Sequence, residues 1–490
     1  KRIYCKSVVN PSFKASLFQT ALPPSKIKLK LIELSAFSHQ KEKEQLTHSV
    51  SNLQKNTMQF RCPDEVWNRL FSTQKYLLGT ALGKTQCLSG TYDAYQPLNK
   101  ESFTVAHALR RYAYSADSLT AVFGPAYINA LTKAIKAERV TASDLGQLFT
   151  QLASLLRLSS FSLTQDYFKS LEHCVQLFLK RLDQSNHKKM DIIFPKRSCE
   201  YTGNSYYFLA DLIGMLEAIN ALNDIALQSK FAIGKQFARF KHLLSGGIQS
   251  FCDRVSDKVV FKKIVPATLT AYLTVQSVET LMRYYVLFPH EEERVRRTFD
   301  MIQEHYVQDG LVRSLLNPSG FPIKENCYYA RLLALLGQES YACSTRLLSL
   351  NDSAHSFPDS IHALTKKGAS IEGHSHNAAA YLLLQLMGLL VHDSGSELQL
   401  LPLVPDHWFF EGFYVDKLMT SQGPLSIKAE LQDEHIYVSI NFKAKPELKE
   451  FKLSLPSTVY AVKVGDRITE VQEPLINLSS SVTELMLFHK

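Results

Sequence analysis

The sequence predicts a mainly α-helical protein, an α/α barrel or superhelix over residues 59–393, followed by a small antiparallel β domain over 394–490. Three observations predict it. Roughly a dozen helix-like segments follow one another over about 330 residues with no strands between them, which excludes a parallel α/β fold. Some of these segments are apolar along one stripe and others nearly all round, so they sort into an outer and an inner layer. Beyond Ser394 the apolar period changes from 3.6 residues to 2.

Residues 1–58 read as a β remnant and linker. KIKLKLIEL, Lys26 to Leu34, alternates as a half-buried strand does, and the chain opens on Lys1 with no apolar leader, as expected of a fragment or processed product. Pro63 and Asp64 then open a helix with Val66, Trp67, Leu70, Phe71, Leu77 and Leu78 on one face. Further helices are expected near 101–114, 142–158, 164–183, 205–228, 231–253, 268–286, 291–307, 325–350 and 376–391. In the segment Thr164 to Leu182, the residues Tyr167, Leu171, Cys174, Val175, Phe178 and Leu182 recur at helical steps, which marks an outer helix. NSYYFLADLIGMLEAINALNDIAL, by contrast, has hardly a polar stripe and reads as an inner helix. No fixed repeat of a helical solenoid is present. The closing β domain is carried by LQLLPLV, PLSIKAEL, HIYVSINF, FKLSLPS and TVYAVKVGD, the second and third joined through Gln432 to Glu434 as a hairpin.

Composition narrows the function class. With 45% hydrophobic and 21% charged residues the chain is an ordinary globular protein. The charge of +9 is dispersed among acidic residues with no recognisable nucleic-acid module, so nucleic acid is not an expected partner. The longest apolar run, Ala378 to Val391, is too short for a bilayer, which needs about 20 residues, so no membrane partner is expected either. Eight cysteines are scattered without metal-ligand spacing; reduced thiols and a cytoplasmic location are weakly favoured, and Cys174 is expected in the core.

Three loops place polar groups directly before helices, where an α/α barrel would gather them at one mouth: GTYDAYQPLNKE (Gly90 to Glu101), RSCEYTGNSYY (Arg197 to Tyr207) and GASIEGHSHN (Gly368 to Asn377). Breaking a glycosidic bond needs one protonated carboxyl to donate to the leaving oxygen and one ionised carboxyl to activate water or attack. Glu200 and Glu372, each a lone carboxylate among Gly, Asn, Tyr or His residues, suit these roles. Their neighbours could bind sugar hydroxyls or stack on the ring. The plainer alternative for each Glu is a helix N-terminal dipole or capping partner. His374 and His376 lack a third ligand at a recognisable spacing, so no metal and no cofactor is expected. Asn377 reads as the N-cap of the last helix.

At these loops the chain resembles the six-hairpin glycosidases, (α/α)6-barrel glycoside hydrolases, especially the glucoamylase-like members. CEYTGNSYYFLADLIGMLEAINAL resembles the segment carrying the general acid, which the resemblance assigns to Glu200. GASIEGHSHNAAAYLLLQL resembles the loop and last barrel helix carrying the base, which falls on Glu372. YQPLNKESFTVAHAL resembles the family's tryptophan and Arg-Asp pattern that grips the terminal sugar, but Lys100 and Glu101 hold the paired positions and no tryptophan is present. An ammonium does not reproduce a guanidinium fork. ELQLLPLVPDHWFFEGFYVDKLMTSQGPLSIKAE is similar to the junction of barrel and β domain in fucosidase-like and rhamnosidase-like members.

The resemblance implies an inverting hydrolase of a terminal sugar, with Glu200 the acid, its pKa raised, and Glu372 the base, about 6.5–9.5 Å apart across one cavity. Tyr92, Asp93, Tyr95, Lys100, Glu101, Asn204, Tyr206, Tyr207, His374 and His376 are the expected substrate contacts. Two rivals stand beside it: a non-catalytic glycan- or protein-binding member of the fold, and a polysaccharide lyase using Tyr207, His374 and Asn377.

Overall fold

In the computed structural model of the protein, the described residues are 57–80, 100–112, 125–137, 140–158, 163–184, 197–198, 205–206, 209–256, 277–313, 320–350, 356–368, 375–393, 397–445 and 448–490. The expected strand at Lys26 to Leu34 lies outside them. Twelve α-helices of the barrel are described: α1 (Glu65–Thr80), α2 (Lys100–Arg111), α3 (Pro125–Lys136), α4 (Ala142–Arg157), α5 (Gln165–Gln184), α6 (Leu209–Ser229), α7 (Lys235–Ser256), α8 (Val278–Leu287), α9 (Glu292–Tyr306), α10 (Ile323–Leu335), α11 (Tyr341–Leu348) and α12 (His376–Leu390). The even-numbered helices form a ring, each touching the next and α12 returning to α2. The odd-numbered helices pack outside it, α1 against α12, α5 and α7 against α6, and α9 against α8. Six hairpins of one outer and one inner helix thus make a two-layer (α/α)6 barrel.

The layers follow from burial demand. α5 shows a wet stripe, with Lys169 and Glu172 away from Phe168, Leu171, Cys174 and Val175, all wholly buried. α6 buries thirteen of its residues, and α12 buries His376 to Leu383 without interruption, because each inner helix meets neighbours on both sides and outer helices behind. The inner pair α4 and α6 approaches most closely at Gly146 and Gly214. A Cβ built on Gly146 would lie 2.3 Å from the Gly214 carbonyl oxygen, so only glycine permits this crossing. α4 is started by a capping box in which the Thr141 hydroxyl accepts from Asp144 N at 3.0 Å.

The structure refines several expected boundaries. α6 begins at Leu209, after a two-residue strand at Ser205–Tyr206 paired with Arg197–Ser198. The single helix expected at 325–350 is two, α10 and α11, because Gly337 adopts φ 69 and the Gln338 amide returns to the Leu333 carbonyl at 2.8 Å. α3 has no counterpart in the expected set, and α8 starts at Val278 with Ser277 as its N-cap. The N-cap of α12 is Ser375, whose hydroxyl accepts from Ala378 N at 3.1 Å; Asn377 lies inside the helix, which corrects the expected cap.

The β region comprises β1 (Gln59–Arg61), β2 (Val391–Asp393), β3 (Leu398–Leu400), β4 (Phe413–Thr420), β5 (Gly423–Gln432), β6 (His435–Phe442), β7 (Glu450–Ser454), β8 (Val459–Val464), β9 (Arg467–Glu470), β10 (Leu475–Ser479) and β11 (Glu484–His489). One sheet runs β1-β4-β5-β6-β11-β8-β9 and the other β10-β7-β3-β2, with Phe442 and Phe451 meeting between them at 6.1 Å. The β5–β6 hairpin turns between Gln432 and His435, as expected, with Asp433 at φ 54. One pair departs from the antiparallel rule, β3 with β7, where Lys452 faces Gln399 in parallel. The edge strand β1 precedes the barrel in sequence yet pairs with β4.

A short helix α13 (Asp406–Glu411) fastens barrel to sheets. Its Trp408 indole and His407 imidazole, with the Tyr341 hydroxyl of α11, converge on Asp64 at the entry to α1. Burial opposes the Asp64 charge, but hydrogen bonds from Tyr341, Trp408 and His407 more than offset it and hold its pKa below the ordinary carboxylate value. Trp67 packs on Trp408 and Tyr341 in the same cluster. Both tryptophans of the chain are core residues, 1% and 0% exposed, so neither lines a groove. The described cysteines, Cys62, Cys174, Cys252, Cys327 and Cys343, are buried and unbridged.

Candidate functional site

Outer and inner helices alternate along the chain, so all six inner helices run the same way and their N-termini meet at one end. Contacts among the first three turns establish this directly. The Ser143 amide of α4 donates to Asp211 of α6 at 3.2 Å. Arg283 of α8 reaches Glu217 of α6 through Nε at 2.9 Å and Nη2 at 2.5 Å, and Ser143 through Nη1 at 2.9 Å. Lys324 of α10 meets Glu279 of α8 at 2.5 Å, and the Gln147 amide of α4 also donates to Glu279. The Lys324 ammonium lies 6.0 Å from the Tyr328 ring centroid and 5.8 Å from that of Tyr381 on α12, the two rings being 5.6 Å apart. Tyr381 hydrogen bonds with Tyr328 and with Thr104 of α2. Every inner helix thus contributes to one polar layer at the N-terminal end of the ring.

The electrostatics of this layer are set by burial and pairing. Burial works against the Arg283 guanidinium, but Glu217 and then Glu279 reverse it and hold its pKa above the ordinary arginine value. Burial likewise opposes the Lys324 ammonium, and Tyr381, Glu279 and Glu325 more than offset it. Glu325 accepts from the Ser277 hydroxyl at 3.2 Å and from the Glu279 amide at 3.3 Å, which places it over the N-terminus of α8. Burial, then the Glu279 charge, raises the Glu325 pKa despite these bonds. Burial also pushes the Tyr328 and Tyr381 phenols up, so both remain hydrogen-bond donors. The layer therefore gathers phenol and ammonium donors and carboxylate acceptors at the N-terminal end of the inner ring.

At the opposite end, the C-termini of the inner helices approach the sheets. Arg111 of α2 pairs with Asp393 of β2 at 2.9 Å and donates to the Met419 carbonyl at 3.0 Å. The Ser421 amide and hydroxyl also bind Asp393, at 2.7 and 2.5 Å. Burial raises the Asp393 pKa, but Arg111 and Ser421 outweigh it and the net shift is downward.

Of the residues expected from sequence, Tyr92, Asp93, Tyr95, Glu200, Asn204, Tyr207, Glu372 and His374 lie outside the described residues. Lys100 and Glu101 are the first residues of α2 and Tyr206 lies in the small strand before α6; only their backbones are described. His376 is described, as the first residue of α12, buried at 3% exposure. The three loops of the sequence reading enter α2, α6 and α12, all inner helices. Sequence reasoning passed over Glu217, Glu279, Arg283, Lys324, Glu325, Tyr328 and Tyr381. The signal available was charge on otherwise apolar helices, as in MLEAI and LMRYY. Among the described residues no group of three His, Cys, Asp or Glu side chains could hold a metal ion, and no described helix is long and apolar enough to cross a membrane.

No family model and no curated protein matches the chain. Solved structures do. An alpha-L-rhamnosidase from Dictyoglumus thermophilum superposes with a TM-score of 0.54 at 12% identity, covering 89% of this chain and 50% of its own. An alpha-L-rhamnosidase from Streptomyces avermitilis, complexed with L-rhamnose, gives 0.52 at 10% identity over 88% of this chain and 42% of its own. A bacterial glucoamylase complexed with acarbose gives 0.50 at 8% identity, covering 70% of this chain and 58% of its own. The chain spans about half the length of the rhamnosidases. At such identities the likeness is one of architecture, and it agrees with the closed ring of inner helices and the attached sheets: the chain has the (α/α)6-barrel fold of the six-hairpin glycosidases with a C-terminal β domain.

Proposed function

We propose that the chain is a glycoside hydrolase acting on a terminal sugar, with Glu200 the proton donor and Glu372 the base that activates water. The observation that carries this reading is the meeting of six inner-helix N-termini over one polar layer, since Glu200 and Glu372 stand in loops entering α6 and α12. Two carboxyl groups carried above that layer would flank a sugar whose hydroxyls meet its phenols, ammonium and carboxylates. Inversion requires the carboxyls about 6.5–9.5 Å apart, leaving room for water. Lys100 and Glu101, which open α2, would grip the sugar, with Tyr92, Asp93, Tyr95, Asn204, Tyr206, Tyr207, His374 and His376 around it. A screen of aryl glycosides tests the reading. Turnover by the wild type, abolished in Glu200→Gln and in Glu372→Gln with folding intact, supports it; turnover unaffected by both changes refutes the assignment.

One observation favours a second reading, a non-catalytic member of the same fold that binds a glycan or a protein partner: Trp67 and Trp408 are both core residues, so no tryptophan is left to stack on a sugar in a cleavage site. Binding of a glycan without turnover would select it.

A further inference from the structure

The loop proposed to carry the base is bracketed by one short stretch of chain. Ser360–His362 runs antiparallel to Gly320–Pro322, the segment that leads into α10. Phe321, Phe357 and Ile361 are buried there, so apolar contact fixes this strap to the barrel. Gly368 returns to it through a bridge to Ile361, and the His362 amide donates to the Lys367 carbonyl at 2.7 Å. On the other side of residues 369–374, the Ser375 amide donates to the Phe357 carbonyl at 3.0 Å. The chain on both sides of the segment containing Glu372 is therefore held by residues 357–362.

Asp359, within that stretch, ties it to two neighbouring inner helices. Its carbonyl accepts from the amide of Ile323, the first residue of α10, at 2.9 Å. Its carboxylate accepts from the Ser375 hydroxyl. The Ser375 oxygen caps α12 by accepting from Ala378 N at 3.1 Å, and a cap requires the oxygen alone. The hydroxyl proton does separate work: it links the N-cap of α12, 1% exposed, to a carboxylate anchored on α10. Ser375 stands three residues after Glu372, and three residues of chain reach at most about 11 Å. A shift of Ser375 relative to α10 would therefore fall on the chain between it and Gly368. Asp359 is itself exposed, so its truncation leaves no cavity in the core.

We propose that Asp359 is a positioning residue for the base: through Ser375 its carboxylate fixes the end of the loop 369–374 against the first turn of α10, and so sets Glu372 relative to the polar layer of Lys324, Tyr328 and Tyr381. The role of Glu372 rests on the glycosidase reading; the anchoring of the loop by Asp359 does not.

Two measurements on the full chain test it, steady-state kinetics with an aryl glycoside that the wild type hydrolyses and hydrogen exchange read peptide by peptide. Asp359→Ala is expected to lower kcat about tenfold or more with KM changed less than about threefold, since a misplaced reacting group costs rate rather than binding. Asp359→Asn, whose side-chain oxygen still accepts from the Ser375 hydroxyl, should keep most of the wild-type kcat. Asp359→Ala combined with Ser375→Ala should be no slower than Ser375→Ala alone, because both changes break the same bond. In Asp359→Ala, peptides spanning 369–378 should exchange faster than in the wild type while those of α6 and β5 do not change. A kcat unaffected by Asp359→Ala, or a double variant that shows both single losses multiplied, overturns the positioning role. Unchanged exchange across 369–378 overturns the anchoring. A wild type that turns over no glycoside refutes the glycosidase reading and with it the role of Glu372, and the exchange measurement then decides the anchoring by itself.

Discussion

Replacing Arg283 with Met keeps the length of the side chain and deletes its charge. The guanidinium is 7% exposed and its partner Glu217 13%, so water is a poor substitute for either. Arg283→Met removes the bonds to Glu217 at 2.5 and 2.9 Å and to the Ser143 hydroxyl at 2.9 Å, and leaves Glu217 and Glu279 without the guanidinium. Breaking a buried pair from one side costs about 3–5 kcal/mol, most of it the cost of the abandoned charge. Replacing both partners, as Arg283→Met with Glu217→Leu, should recover much of that loss, because no buried carboxylate is then stranded at that position. Urea unfolding followed by both fluorescence and far-ultraviolet circular dichroism measures this, the two probes testing whether barrel and β domain unfold together. A loss below about 1 kcal/mol for the single variant, or a double variant no more stable than the single one, would refute the view that burial and pairing set this layer.

Three further outcomes follow from the same coordinates. Gly214→Ala should destabilise the chain by about 1–3 kcal/mol or more, since its Cβ would stand 2.3 Å from the Ala142 carbonyl oxygen and α4 and α6 would have to part; a neutral effect in the same urea assay would contradict the close crossing. Glu325 has a raised folded pKa, so its contribution is most favourable below the unfolded value near 4.5 and is lost as pH rises through the folded value. Glu325→Gln should therefore gain in stability relative to the wild type as pH rises above 4.5, and a pH-independent difference in melting would contradict it. Asp393 has a depressed folded pKa, so its stabilising contribution is present above 3.8 and is lost as pH falls through the folded value; Asp393→Asn should cost about 3–5 kcal/mol at pH 7, with the gap to wild type closing in acid.

The fold class was legible because inner and outer helices differ in how many sides they bury, and this difference is written in the apolar pattern. α6 reads as inner from LIGMLEAINAL and α5 as outer from its single stripe. What was not legible depended on partners far away in sequence. Gly337 looks like a tolerable helix glycine until its left-handed φ is seen to end α10. Gly146 and Gly214 carry no mark of their mutual contact. Nothing in the sequence pairs Lys324 with Glu279, yet they face one another inside the ring. The proposed acid and base, Glu200 and Glu372, came from loop composition and resemblance, and their side chains lie outside the described residues, whereas the polar layer beneath the mouth emerges only once six helix N-termini meet.

The central claim is that sugar is bound and cleaved at the N-terminal end of the inner ring, between Glu200 and Glu372. The most direct test is a crystal structure of the Glu200→Gln variant soaked with an oligosaccharide that the wild type hydrolyses. The account predicts a terminal sugar ring above Lys324, Tyr328 and Tyr381, its glycosidic oxygen beside residue 200 and a water held by Glu372 on the opposite face of the ring. A sugar bound instead at the end near Asp393, on the β domain, or with Glu200 and Glu372 at different ends of the barrel would contradict it.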